Sequence, residues 1–244
     1  MPTPVGDLAI ALVIPAHNEE KSIGECLAAV LQHAPGRFQE IVVIDNASTD
    51  QTAAAAGRFP GVRVVREERK GTGFARDRGW RETSAPLIAY LDADTRLRAG
   101  WVELVLEHFT NDPRTVCVSG PYWYYDLSPA ARTLLWGGSA FGLPLHWLLG
   151  SMVIGGNFAI RRDTLEQMGG MDTSILFHGD DTDIGRRAHA LGRVRFSFAL
   201  TLDSSGRRYK KFGTLRTHNL YIKNQIASAF GLRSWFTKGY DEVR

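Results

Sequence analysis

The chain has 244 residues, of which 44% are hydrophobic and 23% charged. That is enough apolar material for one large core, or two unequal lobes sharing one, and it excludes intrinsic disorder. The formal net charge of +3 is too small to argue by itself for a polyanionic partner.

In chain order, the apolar run Ala9 to Ile14 reads as a buried parallel strand ended by Pro15. Asn18 precedes an amphipathic pattern carrying Ile23, Leu27, Val30 and Leu31 on one side, which predicts a helix to about His33. A second strand, Glu40 to Ile44, delivers Asp45 at its carboxyl end. Thr52 to Ala56 then forms a compact helix, with Asp50 as its cap, and Gly61 to Val65 a third strand. Phe74 to Arg81 is expected to be helical, Pro86 to Leu91 a fourth strand ending in Asp92, Ala93 and Asp94, Trp101 to Phe109 a helix, and Val116 to Ser119 a strand. Strands alternating with helices imply a parallel sheet with right-handed crossovers, whose ligands bind beyond the carboxyl ends of the strands.

Past about Gly120 the pattern changes. Asn157 to Ile160 reads as a strand, and Arg161 to Met168 as a helix stopped by Gly169 and Gly170. A helix over Asp181 to Leu191, a strand over Val194 to Leu200 and a last helix over Leu215 to Phe230 follow. Residues 134–156, LLWGGSAFGLPLHWLLGSMVIGG, are almost free of charge. Their glycines, Pro144 and His146 argue against a regular membrane span. Monotopic membrane contact, an acceptor pocket lining and plain core remain open. The basic cluster Arg207, Arg208, Lys210, Lys211 and Arg216 either faces phosphates or a membrane surface, or is a solvated face.

Cys26 and Cys117 are far apart and lack the spacing of a zinc or redox pair, so free core thiols in a reducing, cytoplasmic compartment are expected. The start lacks the basic and apolar segments of a signal peptide, and secretion is not expected. His17, His178 and His218 are too scattered to define a metal centre.

Three acidic groups carry chemistry. Asp92 and Asp94, one small residue apart after an apolar strand, either share a hard divalent cation bridging to a diphosphate or merely open a turn. Asp45, at the end of a neighbouring strand, suits a ribose hydroxyl or a base N–H. Asp180, Asp181 and Asp183 crowd together, so that one of them is expected to have a raised pKa and to serve as a base for an incoming hydroxyl; the bland alternative is a helix N-terminus. Lys70, Arg76 and Arg78 on one side and the 207–211 cluster on the other are candidates to meet a diphosphate, with Lys70 and Arg208 chosen. Gly155, Gly156 and Asn157 either close a turn or touch a sugar.

This ordered set resembles the inverting family 2 nucleotide-sugar glycosyltransferases with the GT-A fold. The resemblance is carried by VIPAHNEE around Pro15 to Glu20, VVIDNASTD at 42–50, GTGFARDRGW at 71–80, the Asp92–Asp94 triplet, GGNFAIRRDTLEQMGGMD at 155–172 and GDDTDIGRRAHALG at 179–192. It implies an α/β, Rossmann-like, mostly parallel sheet flanked by helices. One glycosyltransferase domain would span 1–244, with a nucleotide-sugar-binding half (8–120) and an acceptor-binding and catalytic-base half (121–244). It further implies donor contacts from Pro15, Ala16, Glu19, Asp45, Asp92, Ala93 and Asp94, beside the residue-based choices Lys70 and Arg208. Mn²⁺ or Mg²⁺ would be held by Asp92 and Asp94, and Asp181 would be the general base, with Asp180 standing where the family commonly has Glu. The implied reaction passes a sugar from a nucleoside-diphosphate sugar, a UDP-sugar by analogy, to a saccharide, lipid-linked or small-molecule acceptor. The QxxRW pattern of processive relatives is absent, which disfavours polymer synthesis. No glycine-rich phosphate loop or GxGxxG turn follows the first strand, against a nucleotidyltransferase or a dehydrogenase. A non-catalytic nucleotide-sugar-binding protein is the alternative, and nucleic-acid binding is not expected despite Tyr209 and Phe212 among the basic residues.

Overall fold

The computed structural model describes residues 8–138, 152–175, 179–214 and 217. The strands in chain order are β1 (Ile10–Ala16), β2 (Glu40–Asn46), β3 (Val62–Glu67), β4 (Leu87–Leu91), β5 (Thr95–Arg96), β6 (Thr115–Ser119), β7 (Tyr122–Tyr124), β8 (Asn157–Arg161), β9 (Arg193–Phe196) and β10 (Leu202–Ser204). The helices are α1 (Ile23–His33), α2 (Thr52–Ala56), α3 (Thr72–Arg81), α4 (Trp101–Asn111), α5 (Pro129–Gly138), α6 (Arg162–Gln167), α7 (Asp180–His189) and α8 (Arg207–Phe212). A seven-stranded sheet has the order β3-β2-β1-β4-β8-β6-β9. Only β8 runs against its neighbours β4 and β6, so the sheet is mostly parallel, as expected.

Each sheet face buries its own core, which is why the central strands are apolar throughout. Leu12, Ile14, Leu87 and Ala89 point to the side covered by α1 and α4, where Leu27, Val30, Trp101 and Phe109 meet them. The alternate residues Val13, Ile88 and Tyr90 point to the side of α3, α6 and α7, against Trp80, Leu165 and Ile184. Side chains of this size, fully buried, each contribute on the order of 1.5–3 kcal/mol. The stop of α6 is as anticipated: Gly169 and Gly170 take positive φ, and the Gly170 N–H reaches back to the Leu165 carbonyl at 2.8 Å.

Several boundaries differ from the sequence expectation. β1 continues through Pro15 to Ala16, paired only with β2, because its pairing with β4 ends at Val13–Tyr90. A residue without an N–H is tolerated at such an unpaired edge. The strand expected over Val194 to Leu200 stops at Phe196, and Phe198–Leu200 forms a 3-10 turn instead. Leu134 to Gly138 belong to α5. Residues 139–151 and the helix expected over Leu215 to Phe230 lie outside the described residues, apart from Thr217. Among the described residues no helix is long and apolar enough to cross a membrane.

A small second sheet, β5-β10-β7, ties the two regions of the chain together: β10 pairs antiparallel with β5, directly after the Asp92–Asp94 turn, and parallel with β7. Asn157, fully buried at the start of β8, locks the same joint. Its Nδ2 faces the carbonyls of Gly120, Pro121 and Leu200, and its Oδ1 accepts from Trp101 Nε1 at 3.1 Å. Asn157 is thereby committed to structure.

On α3, a Cβ added at Gly79 would lie 2.2 Å from Val13 Cγ1 at the centre of β1. Gly79→Ala is therefore expected to lower the unfolding free energy by about 1–3 kcal/mol, measured by urea denaturation; an unchanged midpoint would show that α3 does not need this close approach.

Candidate active site

The acidic residues gather at the carboxyl ends of β1, β2 and β4, the edge where parallel α/β sheets take their ligands. β4 runs into a turn at Asp92, whose carbonyl accepts from the Thr95 N–H and hydroxyl at 3.0 and 2.7 Å. The two carboxylates are therefore presented from a turn and not from the strand itself. Gly156 makes room for this turn, since a Cβ there would lie 2.0 Å from Asp92 Cγ. Tyr122 donates its hydroxyl to Asp92 Oδ2 at 3.2 Å.

Asp94 is the more enclosed of the pair, with 13% of its side chain exposed against 39% for Asp92. Burial, followed by the charges of Asp92 and Glu19, raises its pKa to about 7, while Arg207 and Arg208 oppose the rise. An enclosed carboxylate that resists ionisation beside two other acids is a place where a dication relieves repulsion. Among the described residues no three acidic or histidine groups form a metal cluster. Asp92 and Asp94 alone thus suit Mg²⁺ or Mn²⁺ only where substrate phosphates and water complete the coordination, which is the usual habit of these ions.

The centre of the site is Arg76 on α3, a guanidinium only 4% exposed. Its Nη1 donates to Asp180 Oδ2 on α7, and its Nη2 lies 3.4 Å from Asp92 Oδ1. One buried cation thereby joins the acidic group of α7 to the turn after β4. Asp181 comes with Asp180. Its Oδ1 accepts from the Thr182 N–H at 2.8 Å, and burial, then the neighbouring Asp180 charge, pushes its pKa to about 6 against the opposing pull of Arg76. Asp183 faces elsewhere, paired to Arg186 and Arg187 of its own helix.

Arg207, at the start of α8, reaches the same edge from the far end of the chain. Nη1 pairs with Glu19 Oε2 at 2.9 Å, and Nη2 lies 3.0 Å from Asp94 Oδ2. Glu19, 5% exposed after β1, thus holds a guanidinium in this structure. Asp126 anchors the approach of α8 by accepting from the Gly206 N–H and the Ser205 hydroxyl. Arg208 is half-buried beside it and adds its field to Asp94. Pro15 and Ala16 end β1, with Ala16 in register with Asp45, and Ala93 is buried between the two aspartates. Asp45 stands at the β2 end away from Asp92, with Arg66 Nη1 at 2.5 Å from Oδ2 and the Ser48 N–H at 3.3 Å from Oδ1. Lys70 is exposed in the β3–α3 loop. Asp50 accepts from the Thr52 N–H at 3.0 Å and so closes the start of α2.

Sequence reasoning counted Arg76 among the cations that could meet a diphosphate and chose Lys70. The signal that marks Arg76 is its place on the buried stripe of α3, with Gly73, Gly79 and Trp80, where a charge requires a partner. Arg207 was passed over for its neighbour Arg208, and nothing local singles out Tyr122.

The sheet order, the acidic turn after β4 and the second acidic group on α7 define an α/β protein with a charged site at the carboxyl edge of its sheet. Residues 11–169 match the family model for glycosyl transferase family 2, and the chain belongs to that family. It is 28% identical over 248 aligned residues to the probable glycosyltransferase YdaM of Bacillus subtilis, covering 91% of this chain and 57% of that protein. It is 41% identical over 92 residues to the uncharacterized glycosyltransferase Rv0539 of Mycobacterium tuberculosis, covering 38% of this chain and 39% of that one. The chain therefore spans little more than half, or less, of these relatives. Among solved structures, the mannosyltransferase PcManGT from Pyrobaculum calidifontis, in complex with GDP-Man and Mn²⁺, superposes with a TM-score of 0.70 at 19% identity, covering 96% of this chain and 67% of that one. Glucosyl-3-phosphoglycerate synthase from M. tuberculosis, in complex with Mn²⁺, UDP-Glc and phosphoglyceric acid, gives 0.64 at 20%, covering 96% and 86%. At these identities the likeness establishes the fold, a GT-A-like arrangement as the sequence resemblance implied.

Replacing Arg76 by Met leaves Asp92, Asp180 and Asp181 facing one another without their buried cation. A loss of about 3–5 kcal/mol is expected at about pH 8, because breaking a buried pair strands its partners. Arg76 lowers the Asp181 pKa, so in the variant Asp181 takes up a proton more readily, and the deficit shrinks as the pH falls toward about 5. Melting temperatures at both pH values test this; an equal loss at each would mean that Arg76 acts through packing and not charge.

Proposed function

We propose that the chain transfers a sugar from a nucleoside-diphosphate sugar to an acceptor hydroxyl with inversion, assisted by Mn²⁺ or Mg²⁺. The observation that carries this reading is the Arg76 bridge, which draws the acidic pair of α7 to the acidic turn after β4. A leaving group and an attacking hydroxyl need separate charged groups within one cleft. Family membership and the ligands of the similar solved structures, GDP-Man or UDP-Glc with Mn²⁺, support it.

In this reading Asp45 faces the base, while Asp92 and Asp94 hold the metal. When bound, the metal neutralises the diphosphate and the charge that grows on it as it departs. Arg207 and Arg208 lie where they meet the same phosphates. Asp181 accepts the acceptor's hydroxyl proton as that oxygen bonds to the anomeric carbon and the bond from that carbon to the phosphate oxygen breaks. Inversion follows from attack opposite the leaving group. A carboxylate with a pKa near 6 is a better proton acceptor than an ordinary aspartate yet is still mostly ionised at neutral pH. Asp180, clamped by Arg76, positions it. Residues 8–120 supply the donor side, and 121–244 the acceptor side. The aromatic cluster Trp123, Trp136 and Phe198, with Leu134 61% exposed on the same helix as Trp136, favours an acceptor with an apolar part, such as a lipid-linked one held near a membrane surface.

Incubation with UDP- and GDP-sugars, Mn²⁺ and a panel of sugar and polyprenyl-phosphate acceptors is expected to release nucleoside diphosphate in step with product. Tight donor binding without turnover across the panel would favour a binding protein instead. Asp181→Asn should cut kcat by roughly 10²–10⁴-fold while leaving donor affinity in place, and retention of wild-type turnover would remove Asp181 from its role. Because the base acts only when ionised, wild-type kcat should fall as pH drops through about 6; a flat profile down to about pH 4.5 would point to a base with an ordinary carboxylate pKa. Asp94→Asn should weaken Mn²⁺ binding in the presence of nucleoside diphosphate, followed by calorimetry, and an unchanged isotherm would move the metal elsewhere.

A further inference from the structure

Beside Arg76 on α3 stands a carboxylate that the proposed chemistry leaves unused. Asp77 follows Arg76 directly and meets the turn after α6. Its Oδ1 accepts from the Met171 N–H at 3.1 Å and from Trp80 Nε1 at 3.0 Å, and its Oδ2 from Arg81 Nε at 2.9 Å. Burial opposes the charge, but donation from Arg81, Trp80 and the Met171 N–H holds the carboxyl below its ordinary range, so Asp77 stays ionised at neutral pH. The turn depends on glycine for this approach: a Cβ on Gly170 would fall 2.3 Å from Asp77 Oδ1, and one on Gly73 of α3 would fall 3.0 Å from the Asp172 carbonyl oxygen. From the other side Arg187 of α7, itself held by Asp183, donates through Nη1 to the carbonyls of Met168 and Gly170 at 3.1 and 2.8 Å. The chain that meets α3 at Asp77 through Met171 thus meets it again at Arg76 through Asp180, on consecutive residues of one helix.

Resting on the reading of Asp181 as the base, we propose that Asp77 is a positioning residue for it: by holding the Met171 N–H it sets how α7 lies and so how Asp181 faces the cleft. The ion pair of Arg76 with Asp180 fixes one point of α7 and not its orientation. Asp77 supplies a second point, and Arg187 carries it into α7, because the Gly170 carbonyl that Arg187 grips directly precedes the N–H that Asp77 holds. A turn that moves takes Arg187 and its helix with it. Displacing a reacting group by about 1 Å is enough to lower a rate roughly 10²-fold. The charges that act on Asp181 are those of Asp180 and Arg76, so Asp77 works through the place of its oxygen. α3 itself is seated on β1 at Gly79, and the donor side stands on β1, β2 and β4. Loss of the Asp77 contact therefore reaches kcat and spares nucleotide affinity.

Substitutions at this one position separate the contact from the charge. With the donor and acceptor that give turnover in the panel above, Asp77→Ala is expected to lower kcat by roughly 10–100-fold, while UDP affinity in the presence of Mn²⁺, measured by calorimetry, stays within about twofold of wild type. Asp77→Asn keeps an oxygen for the Met171 N–H but no charge, and should recover kcat to within about threefold. Asp77→Glu keeps the charge but drives the oxygen into the turn; it should not recover kcat, and it serves should the Ala variant not fold. Amide hydrogen exchange over the first turn of α7 should rise in the Ala and Glu variants and remain as in wild type in the Asn variant. Wild-type kcat in Asp77→Ala, or a Glu variant more active than the Asn variant, would overturn the proposal. A parallel loss of UDP binding would overturn it too, by marking Asp77 as a general support of the fold. Absence of turnover by the wild-type chain would instead sink the transfer reading, and the exchange pattern would then decide by itself whether Asp77 anchors α7.

Discussion

A carboxylate withdrawn from water needs a countercharge, and the active edge of this sheet withdraws several. Glu19, Asp45, Asp94 and Asp180 are each held by a guanidinium that comes from another element: Arg207, Arg66, Arg207 and Arg76. The cations are as much part of the fold as the apolar strands. Among the described residues Arg76 is the buried cation that offsets the repulsion between the start of α7 and the turn after β4.

The pairing is also reciprocal. Arg76 belongs to the first half of the chain and reaches Asp180 in the second; Arg207 belongs to the second and reaches Glu19 and Asp94 in the first. Ion pairs of this kind add little net stability, because desolvation offsets attraction. They do fix where the acids stand. The apolar faces hold the layers together to within a side chain's width, and the crossed guanidiniums then set which carboxylates face one cleft. The small sheet β5-β10-β7 reinforces this, since the same strand that pairs beside the Asp92–Asp94 turn leads into the helix that presents Arg207.

What could be read from the sequence follows from the range of the forces involved. The runs IALVIPA, EIVVIDN and LIAYL announce buried parallel strands because both their faces are covered, and the acids at their ends are placed by strand direction alone. Asp45, Asp92 and Asp94 were legible for that reason, and Asp180 and Asp181 through the helix they begin. Arg76, Arg207 and Tyr122 were not singled out because their roles are set by partners distant in sequence, and a count of charges cannot tell a buried guanidinium from a solvated one. The stripe of α3 held a local clue to Arg76. The strand expected over Val194 to Leu200 failed at Phe198 for a related reason. Phe198 packs edge-on against Trp136 and Phe196, and the Leu200 carbonyl turns to Asn157, contacts that favour a 3-10 turn over continued pairing. Apolar periodicity alone does not distinguish the two.

The three guanidiniums differ in how far they are open to water, and that difference orders what they can do. Arg76 is 4% exposed at the side chain, Arg207 23% and Arg66 44%. A deeply buried guanidinium cannot leave its carboxylates without stranding charges on both sides, so Arg76 is fixed scaffold, and its partners keep their places whether or not a ligand is present. A more exposed one can exchange a carboxylate oxygen for a phosphate or carbonyl oxygen of similar geometry while water compensates the group released. Arg207 and Arg66 are therefore the two that can change partners, one beside Asp94 and one beside Asp45. Both ends of this edge are held in charge balance by the chain's own residues.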